Sequence, residues 1–442
     1  MSSSPTPQPR TLARDLKNHA DQIVTIKGWL HKKRLLGGLT FINVRDRSGL
    51  TQVLIENKDE VEKLRGMQLG TVLEISGSVK LEERAPSGAE LHEPTLTVVV
   101  PVTDESPIEI DKPISHKSDS LDTLFEHRVL TLRNLQEQKI FRIRAALTRY
   151  IREFLFENEF VEIDTPKLLA GATEGGAEVF KVEYFDRTAI LAQSPQFYKQ
   201  MMVGAFERVY EIGHSYRAEP SSTTRHLTEL TMLDIEMGFV ESHQDVMDMV
   251  ANMTKHTLKK IYEEHGDDLK SLQAPELKLS EKVPAFTIAE IHEMYSKANK
   301  QNTVGEKDLI PDEERWIAEY ARKQMGSDLV YAVDFPRVAG KFYHKFKDDG
   351  TVAWGDLLFR GLEIATVPLR ENNYEKMIQQ MKDAGLDVTH PGYKYYLQAF
   401  KYGLPLHGGC GFGIDRLVQK TIGLANVKEA TLFPRDMNRL SP

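Results

Sequence analysis

The sequence predicts an α+β chain in two parts: a small closed β-barrel, then a larger domain built on an antiparallel sheet with flanking helices. Three observations predict it. Residues from about 22 to 102 read almost wholly as short strands, broken by GG, RSG and PSG. A polar, Pro-containing segment follows, TDESPIEIDKPISHKSDS. Beyond it, strands lie on either side of a mostly helical, charged stretch, and a last glycine-rich strand runs into the helix IDRLVQKTIG.

The chain has 442 residues, enough for two or three domains, and its 40% hydrophobic and 28% charged content is that of a globular protein with a large core. A formal net charge of −8 argues against broad nonspecific nucleic-acid binding but leaves room for a local basic face. The lone cysteine, Cys410, excludes an internal disulfide and fits a reducing, cytoplasmic location. No apolar run approaches 18 residues, so no membrane partner is expected. MSSSPTPQPR lacks an apolar core, and residues 1–20 are expected to form a disordered tail.

The first strands are IVTIKGWLH, LTFINVRDR, LTQVLIE, TVLEISGSVKLE and LTVVVPV, with one helix-like patch, NKDEVEKLRGM, after the third. That order suggests a Greek-key barrel of the OB type over residues 21–103. Residues 104–122 read as a linker. The second domain, 123–442, opens on a long amphipathic helix, LQEQKIFRIRAALTRYIREFLFENEF, and carries a helical insertion at about 241–325.

Three stretches in this domain carry chemistry. In RAEPSSTTRHLTEL, between two strand-like runs, Arg217 and Glu219 share a strand face, and Arg225 and His226 follow a loop. Charges on a long loop are usually just solvated. Here two arginines can grip a polyphosphate from two sides, and Glu219 can accept from an exocyclic amine. Neither GxxxxGK[ST] nor a Rossmann GxGxxG is present. In HGGCGFGIDR, glycines 409, 411 and 413 leave one strand face without side chains, so a ligand can lie against the backbone, and Arg416 can stack on an adenine or meet a phosphate. In DLLFRGLEIAT, Asp356 and Glu363 are seven apart, on opposite faces of a straight strand; a turn at Arg360–Gly361 would bring them together as Mg²⁺ donors beside a triphosphate.

With these residues in hand, the chain resembles the class II aminoacyl-tRNA synthetases over nearly its whole length, from about residue 20 to 442. The long helix ending in FVEIDTP, with Pro166, is similar to their motif 1; Arg217–Glu229 resembles motif 2; GCGFGIDR resembles motif 3. A barrel in front narrows the resemblance to the aspartyl, asparaginyl and lysyl subgroup. QSPQFYKQ, GATEGGAEVF and LFPRDMNRLSP resemble aspartyl enzymes of the archaeal and eukaryotic type.

The resemblance implies ATP and Mg²⁺, L-aspartate, tRNA-Asp as acceptor and a homodimer. It implies an ATP site of Arg217, Glu219, Arg225, His226, Leu230, Glu363 and Arg416, with Arg217 and Arg416 catalytic. Aspartate would meet Glu174, Gln196, Lys199, Arg217, Tyr343, Thr366 and Arg370, and Mg²⁺ would meet Asp356, Glu363 and Thr366. Lys199 and Arg370 are expected to reject asparagine, whose amide would leave them unpaired. On the barrel, His31, Arg34, Phe41, Gln52 and Pro86 are the anticodon candidates, with core packing as the plain alternative for Phe41. His31 and Pro86 sit where the family varies in reading the first anticodon base, so charging of tRNA-Asn as well as tRNA-Asp stays open. Three positions depart from the family pattern: Leu230 replaces a phenylalanine, Val367–Arg370 reads VPLR for GGQR, and Lys341 replaces a proline. They keep open a divergent paralogue with altered substrate or acceptor, and an asparaginyl enzyme is the other alternative.

Overall fold

A computed structural model describes residues 10–36, 39–114, 120–171, 178–220 and 223–442. The chain divides into two compact units, Met1–Gln138 and Lys139–Pro442. In the first, β1 (Ile23–Leu36), β2 (Leu39–Arg45), β3 (Leu50–Ile55), β4 (Val72–Leu81) and β5 (Ala89–Val100) close a barrel in the order β1-β2-β3-β5-β4. Alternation drives the closure: Leu73, Ile75 and Val79 of β4 point inward and are fully buried, while their neighbours face out. The helix Lys58–Arg65 links β3 to β4 and starts on Asn57, whose side chain accepts the Asp59 N–H at 2.9 Å.

One expectation fails here. Residues 10–20, read as part of a disordered tail, include a 3₁₀ helix, Ala13–His19. Leu16 is fully buried in the barrel core, and the Ala13 N–H donates to Asp46 Oδ2 at 2.8 Å. Seven residues of 3₁₀ helix, with Leu12 as its N-cap, are too short to show helical periodicity in the sequence.

The second unit holds an eight-stranded sheet, ordered β12-β13-β14-β15-β16-β11-β10-β6. In chain order its strands are β6 (Val161–Glu162), β10 (Arg208–Tyr216), β11 (Glu229–Gly238), β12 (Ala285–Thr287), β13 (Leu329–Val333), β14 (Trp354–Phe359), β15 (Leu362–Pro368) and β16 (His407–Gly413). The pairings are antiparallel except at the two edges, where β6 and β12 lie parallel to their neighbours. A separate three-stranded sheet joins β7 (Leu168–Leu169), β9 (Arg187–Leu191) and β8 (Lys181–Tyr184). The stretch 241–325 is mostly helical, with helices His243–Glu264, Ile288–Ala298 and Pro311–Gln324, but it also supplies the edge strand β12.

The long helix Leu135–Glu157 buries Ile143, Leu147, Tyr150, Ile151 and Leu155 in one core with Leu233 and Ile235 of β11. Its Arg144 reaches further, donating to Thr231 Oγ1 at 2.8 Å and pairing with Asp415, which in turn accepts the Thr231 N–H at 2.8 Å. Helix, β11 and the start of the C-terminal helix Ile414–Ile422 are thereby tied at one point. Among the described residues, no helix is long and apolar enough to cross a membrane.

Leu16→Ala is expected to destabilise the barrel by about 2–5 kcal/mol, the usual cost of emptying a buried leucine site. Urea unfolding followed by barrel fluorescence measures it; a change within about 0.5 kcal/mol, the range of surface substitutions, contradicts the assignment of this helix to the core.

Candidate active site

The cavity is built on β11 and β16. Leu230, Met232, Asp234 and Glu236 alternate along β11 and therefore share a face. Directly across in β16, Gly413 pairs with Met232, Gly411 with Asp234 and Gly409 with Glu236. The missing side chains leave room for the two carboxylates. A Cβ on Gly409 would lie 1.9 Å from the Ile235 carbonyl oxygen and 2.6 Å from Glu236 Oε2. On Gly411 the nearest atom would be Met232 Cε at 3.4 Å. The glycines thus split their work: Gly411 and Gly413 border the cavity, and Gly409 serves close packing rather than ligand approach.

The carboxylates hold two buried cations. Lys199, on the helix Gln196–Phe206, donates to Asp234 Oδ1 and to the Cys410 carbonyl, both at 2.8 Å, and lies 3.6 Å from Glu236. Arg370 Nε donates to Glu236 Oε1 at 2.9 Å, and its Nη2 donates to Gln196 Oε1 at 3.1 Å. Gln196 passes the network to Gln200 at 2.9 Å, and Gln200 donates to His407 Nε2 at 2.9 Å. His407 Nδ1 lies 2.8 Å from the Pro405 carbonyl, which can only accept; the ring is therefore protonated at Nδ1 and neutral, and burial lowers its pKa. Two buried cations balance two buried anions, so each charge depends on its partner.

This corrects one expectation. Lys199 and Arg370 do not wait unpaired for a substrate carboxylate; each already meets a protein one. Lys199, 1% exposed, stands behind Asp234 and not at the cavity wall. Asp234 and Glu236 were not singled out from the sequence. The available signal was two carboxylates, two apart, inside the otherwise apolar TMLDIEMGFV.

A cavity of about 390 Å³ borders this array, with Asp234 and Arg370 in its wall. Its wall includes Gln196, Tyr343, Thr366 and Arg370 together with Arg217, Glu219, Arg225, His226, Leu230, Glu363 and Arg416. Arg370 lies over the Tyr343 ring, 5.3 Å from its centroid. The Arg217 N–H is fixed by the Thr228 carbonyl at 2.9 Å. Arg416 Nη1 donates to the Glu363 carbonyl at 2.8 Å and to Glu363 Oε2 at 3.2 Å. His226 Nδ1 lies 2.6 Å from Thr223 Oγ1; burial first, then the Arg416 charge, lowers its pKa. Arg225 pairs with Glu314 of the helix Pro311–Gln324. Lys341, one of the departures, also borders the cavity. Glu174 lies outside the described residues.

Asp356 and Glu363 do converge. Arg360 and Gly361, with φ of +49° and +76°, make the turn between β14 and β15. A bulge between Leu357 and Leu358 then shifts the register, so that Asp356 pairs with Thr366, and Thr366 Oγ1 donates to Glu363 Oε1 at 3.1 Å. Burial, then the Glu363 charge, pushes the Asp356 carboxyl well above its ordinary range. Burial also pushes Glu363 up, but Arg416 and Arg217 outweigh it and hold Glu363 below its usual value. Among the described residues, no group of three or more His, Cys, Asp and Glu side chains is arranged to hold a metal.

On the barrel, Arg34 of β1 pairs across from Phe41 of β2, and the neighbouring pair on that face of β2–β3 is Asn43 and Gln52. Phe41 is half-buried and alternates with buried Thr40 and Ile42, so it lies on the outer face and not in the core. Gln52 Nε2 donates to Glu90 Oε2 at 2.7 Å. His31 sits at a bulge in β1 and is buried, while Pro86 is exposed on the β4–β5 loop.

Gly409→Ala is expected to cost about 3 kcal/mol or more, the upper end of overpacking, because backbone cannot yield. Gly411→Ala is expected to change stability by less than about 1 kcal/mol. Equal losses in thermal unfolding would contradict the division of labour along β16. Glu236→Ala leaves Arg370 buried without its carboxylate and is expected to destabilise by about 3–5 kcal/mol in the same measurement.

Comparison with known proteins agrees with this geometry. Residues 24–100 match the OB-fold nucleic acid binding domain, and residues 120–437 match the family of tRNA synthetases class II (D, K and N). An aspartate–tRNA(Asp/Asn) ligase from Thermus thermophilus is 39% identical over 98% of this chain and 100% of its own length. An aspartate–tRNA(Asp) ligase from Pyrococcus abyssi is 36% identical over 95% and 96%. The structure of asparaginyl-tRNA synthetase from Pyrococcus horikoshii complexed with asparaginyl-adenylate superposes with a TM-score of 0.88 at 28% identity, covering 96% of this chain and 97% of that one. With its ordered strands, its glycine-cleared floor and matches that span its length, the chain belongs to the class II aminoacyl-tRNA synthetases of the aspartate, asparagine and lysine group.

Proposed function

We propose that the protein is an aspartate–tRNA ligase. ATP and L-aspartate give aspartyl-adenylate and pyrophosphate; the aspartyl group then passes to the 3′-terminal ribose of tRNA. In the first step an α-carboxylate oxygen of aspartate attacks the α-phosphorus and pyrophosphate leaves. In the second, a terminal ribose hydroxyl attacks the acyl carbon, AMP leaves, and the hydroxyl proton is released. No side-chain nucleophile is needed, so positioning and charge neutralisation carry the rate. The observation that carries the reading is one cavity lined both by Asp234 and Arg370 of the buried charge array and by Arg217 and Arg416.

Arg217 would hold the α-phosphate, Arg225 and His226 the distal phosphates, and Arg416 the nucleotide's other side. Leu230 would cover the base by apolar contact alone. Asp356 and Glu363 fit Mg²⁺: they are oxygen donors held close by Thr366, and burial with like charge already disfavours ionising Asp356, a cost that a hard dication relieves. Bound there, Mg²⁺ would offset the triphosphate's charge. Arg370 reaches the cavity wall, so a substrate carboxylate gains charge-assisted hydrogen bonds that an amide makes only as a neutral group. Lys199 acts through Asp234, which it fixes, and Glu174 would serve the substrate ammonium. The exposed Phe156, near the end of the long helix, and Val161 of β6 support a twofold pairing of chains. Arg34, Phe41 and Gln52 would read the anticodon, with tRNA-Asp as acceptor and His31 and Pro86 deciding on tRNA-Asn. A cytoplasmic location fits the single, buried cysteine.

Asparagine is the second reading, favoured by the already paired Lys199 and Arg370 and by the likeness to an asparaginyl-adenylate complex. ATP–pyrophosphate exchange separates the two. Exchange with aspartate is expected to exceed that with asparagine by about 100-fold, the scale at which a few kcal/mol of polar recognition operates. Arg217→Ala is expected to lower it by about 10²–10³-fold. Exchange driven by asparagine alone would sink the aspartate assignment.

A further inference from the structure

The motif that grips phosphate is already occupied by a protein carboxylate. Arg225 borders the cavity, yet its Nη2 is bonded to Glu314 Oε2, and both side chains are largely buried, at 22% and 12% exposure. Glu314 comes from the helix Pro311–Gln324, within the 241–325 stretch, and not from any of the three stretches that carry the chemistry. The backbone beside Arg225 is held independently: the Thr224 carbonyl accepts the Val427 N–H at 2.9 Å, and the Arg225 N–H donates to Thr223 Oγ1 at 3.3 Å. The side chain can therefore change partners while the chain under it stays in place.

We infer that Glu314 is a positioning residue that competes with the distal phosphates of ATP for the Arg225 guanidinium. The inference rests on the reading of Arg225 as a phosphate-binding residue. A carboxylate and a phosphate oxygen present the same fork-shaped acceptor to guanidinium, so one partner excludes the other from those N–H groups. Glu314 is not a comfortable anion where it sits: burial raises its pKa, Arg225 lowers it, and the Glu363 charge raises it again, with a net upward shift. Arrival of ATP must break the Arg225–Glu314 pair and leave Glu314 without its main counter-charge. That cost is subtracted from ATP affinity, and it falls on ligands that reach Arg225 with distal phosphates. AMP, which ends at the α-phosphate, does not incur it. The pair therefore weakens ATP binding selectively and helps the site release pyrophosphate after adenylation, because Glu314 retakes the guanidinium as the distal phosphates leave.

The test is calorimetric titration of the full-length protein with ATP and with AMP, each with Mg²⁺, for the wild type, Glu314→Gln, Arg225→Ala and the double variant. Glu314→Gln is expected to bind ATP about 10- to 150-fold more tightly, the range spanned by one charge-assisted hydrogen bond, and to bind AMP as the wild type does. In exchange kinetics its KM for ATP falls while its KM for aspartate stays. In the Arg225→Ala background the Glu314 substitution has no further effect on ATP. Weaker or unchanged ATP binding in Glu314→Gln overturns the competition, as does equal tightening for AMP or an undiminished effect without Arg225. Wild-type protein that binds no ATP overturns the phosphate-site reading itself, a result that the variant ratios do not mimic.

Discussion

The structure depends on a buried balance of charge. Asp234 and Glu236 occupy the face of β11 that β16 clears with glycine, and Lys199 and Arg370 neutralise them from a helix and from the end of β15. Remove the glycines and the carboxylates have no space; remove a carboxylate and a cation is stranded in a medium that solvates it poorly. The array binds four separate chain segments into one wall. It also fixes the polarity of the cavity, because Gln196, held by Arg370, and the neutral His407 leave few groups free to reorient.

The groups around Glu363 keep a different balance. Arg416 and Arg217 keep Glu363 ionised, and Glu363 in turn presses Asp356 toward its neutral form. Positive and negative groups are interleaved, with Arg416 paired to Glu363 and Arg225 to Glu314. β11, β15 and β16 are neighbours in one sheet, so the sheet sets the spacing between the Asp234–Glu236 array and the Glu363–Arg416 pair.

Much of this was legible in the sequence where a local rule applied. Period-two alternation and the helix after the third strand gave the barrel its strands, and the Arg360–Gly361 turn was readable as the device that joins Asp356 to Glu363. The motif residues Arg217, Arg225, Glu363 and Arg416 line one cavity, as their types and spacing suggested. What stayed hidden depends on contacts between distant segments. The pairing of Lys199 with Asp234 spans 35 residues and that of Arg370 with Glu236 spans 134, so no window of sequence displays either. The Arg225–Glu314 pair, 89 residues apart, was hidden for the same reason. The 3₁₀ helix at Ala13–His19 was missed because seven residues carry too little pattern beside a Pro-rich start.

The central claim is that the charge array selects aspartate for transfer to tRNA. Its most direct test is to incubate the protein with ATP, Mg²⁺, tRNA-Asp and an equimolar mixture of aspartate and asparagine, digest the tRNA with ribonuclease, and weigh the terminal aminoacyl-adenosine by mass spectrometry. The account predicts aspartyl-adenosine. Asparaginyl-adenosine as the main product would contradict it.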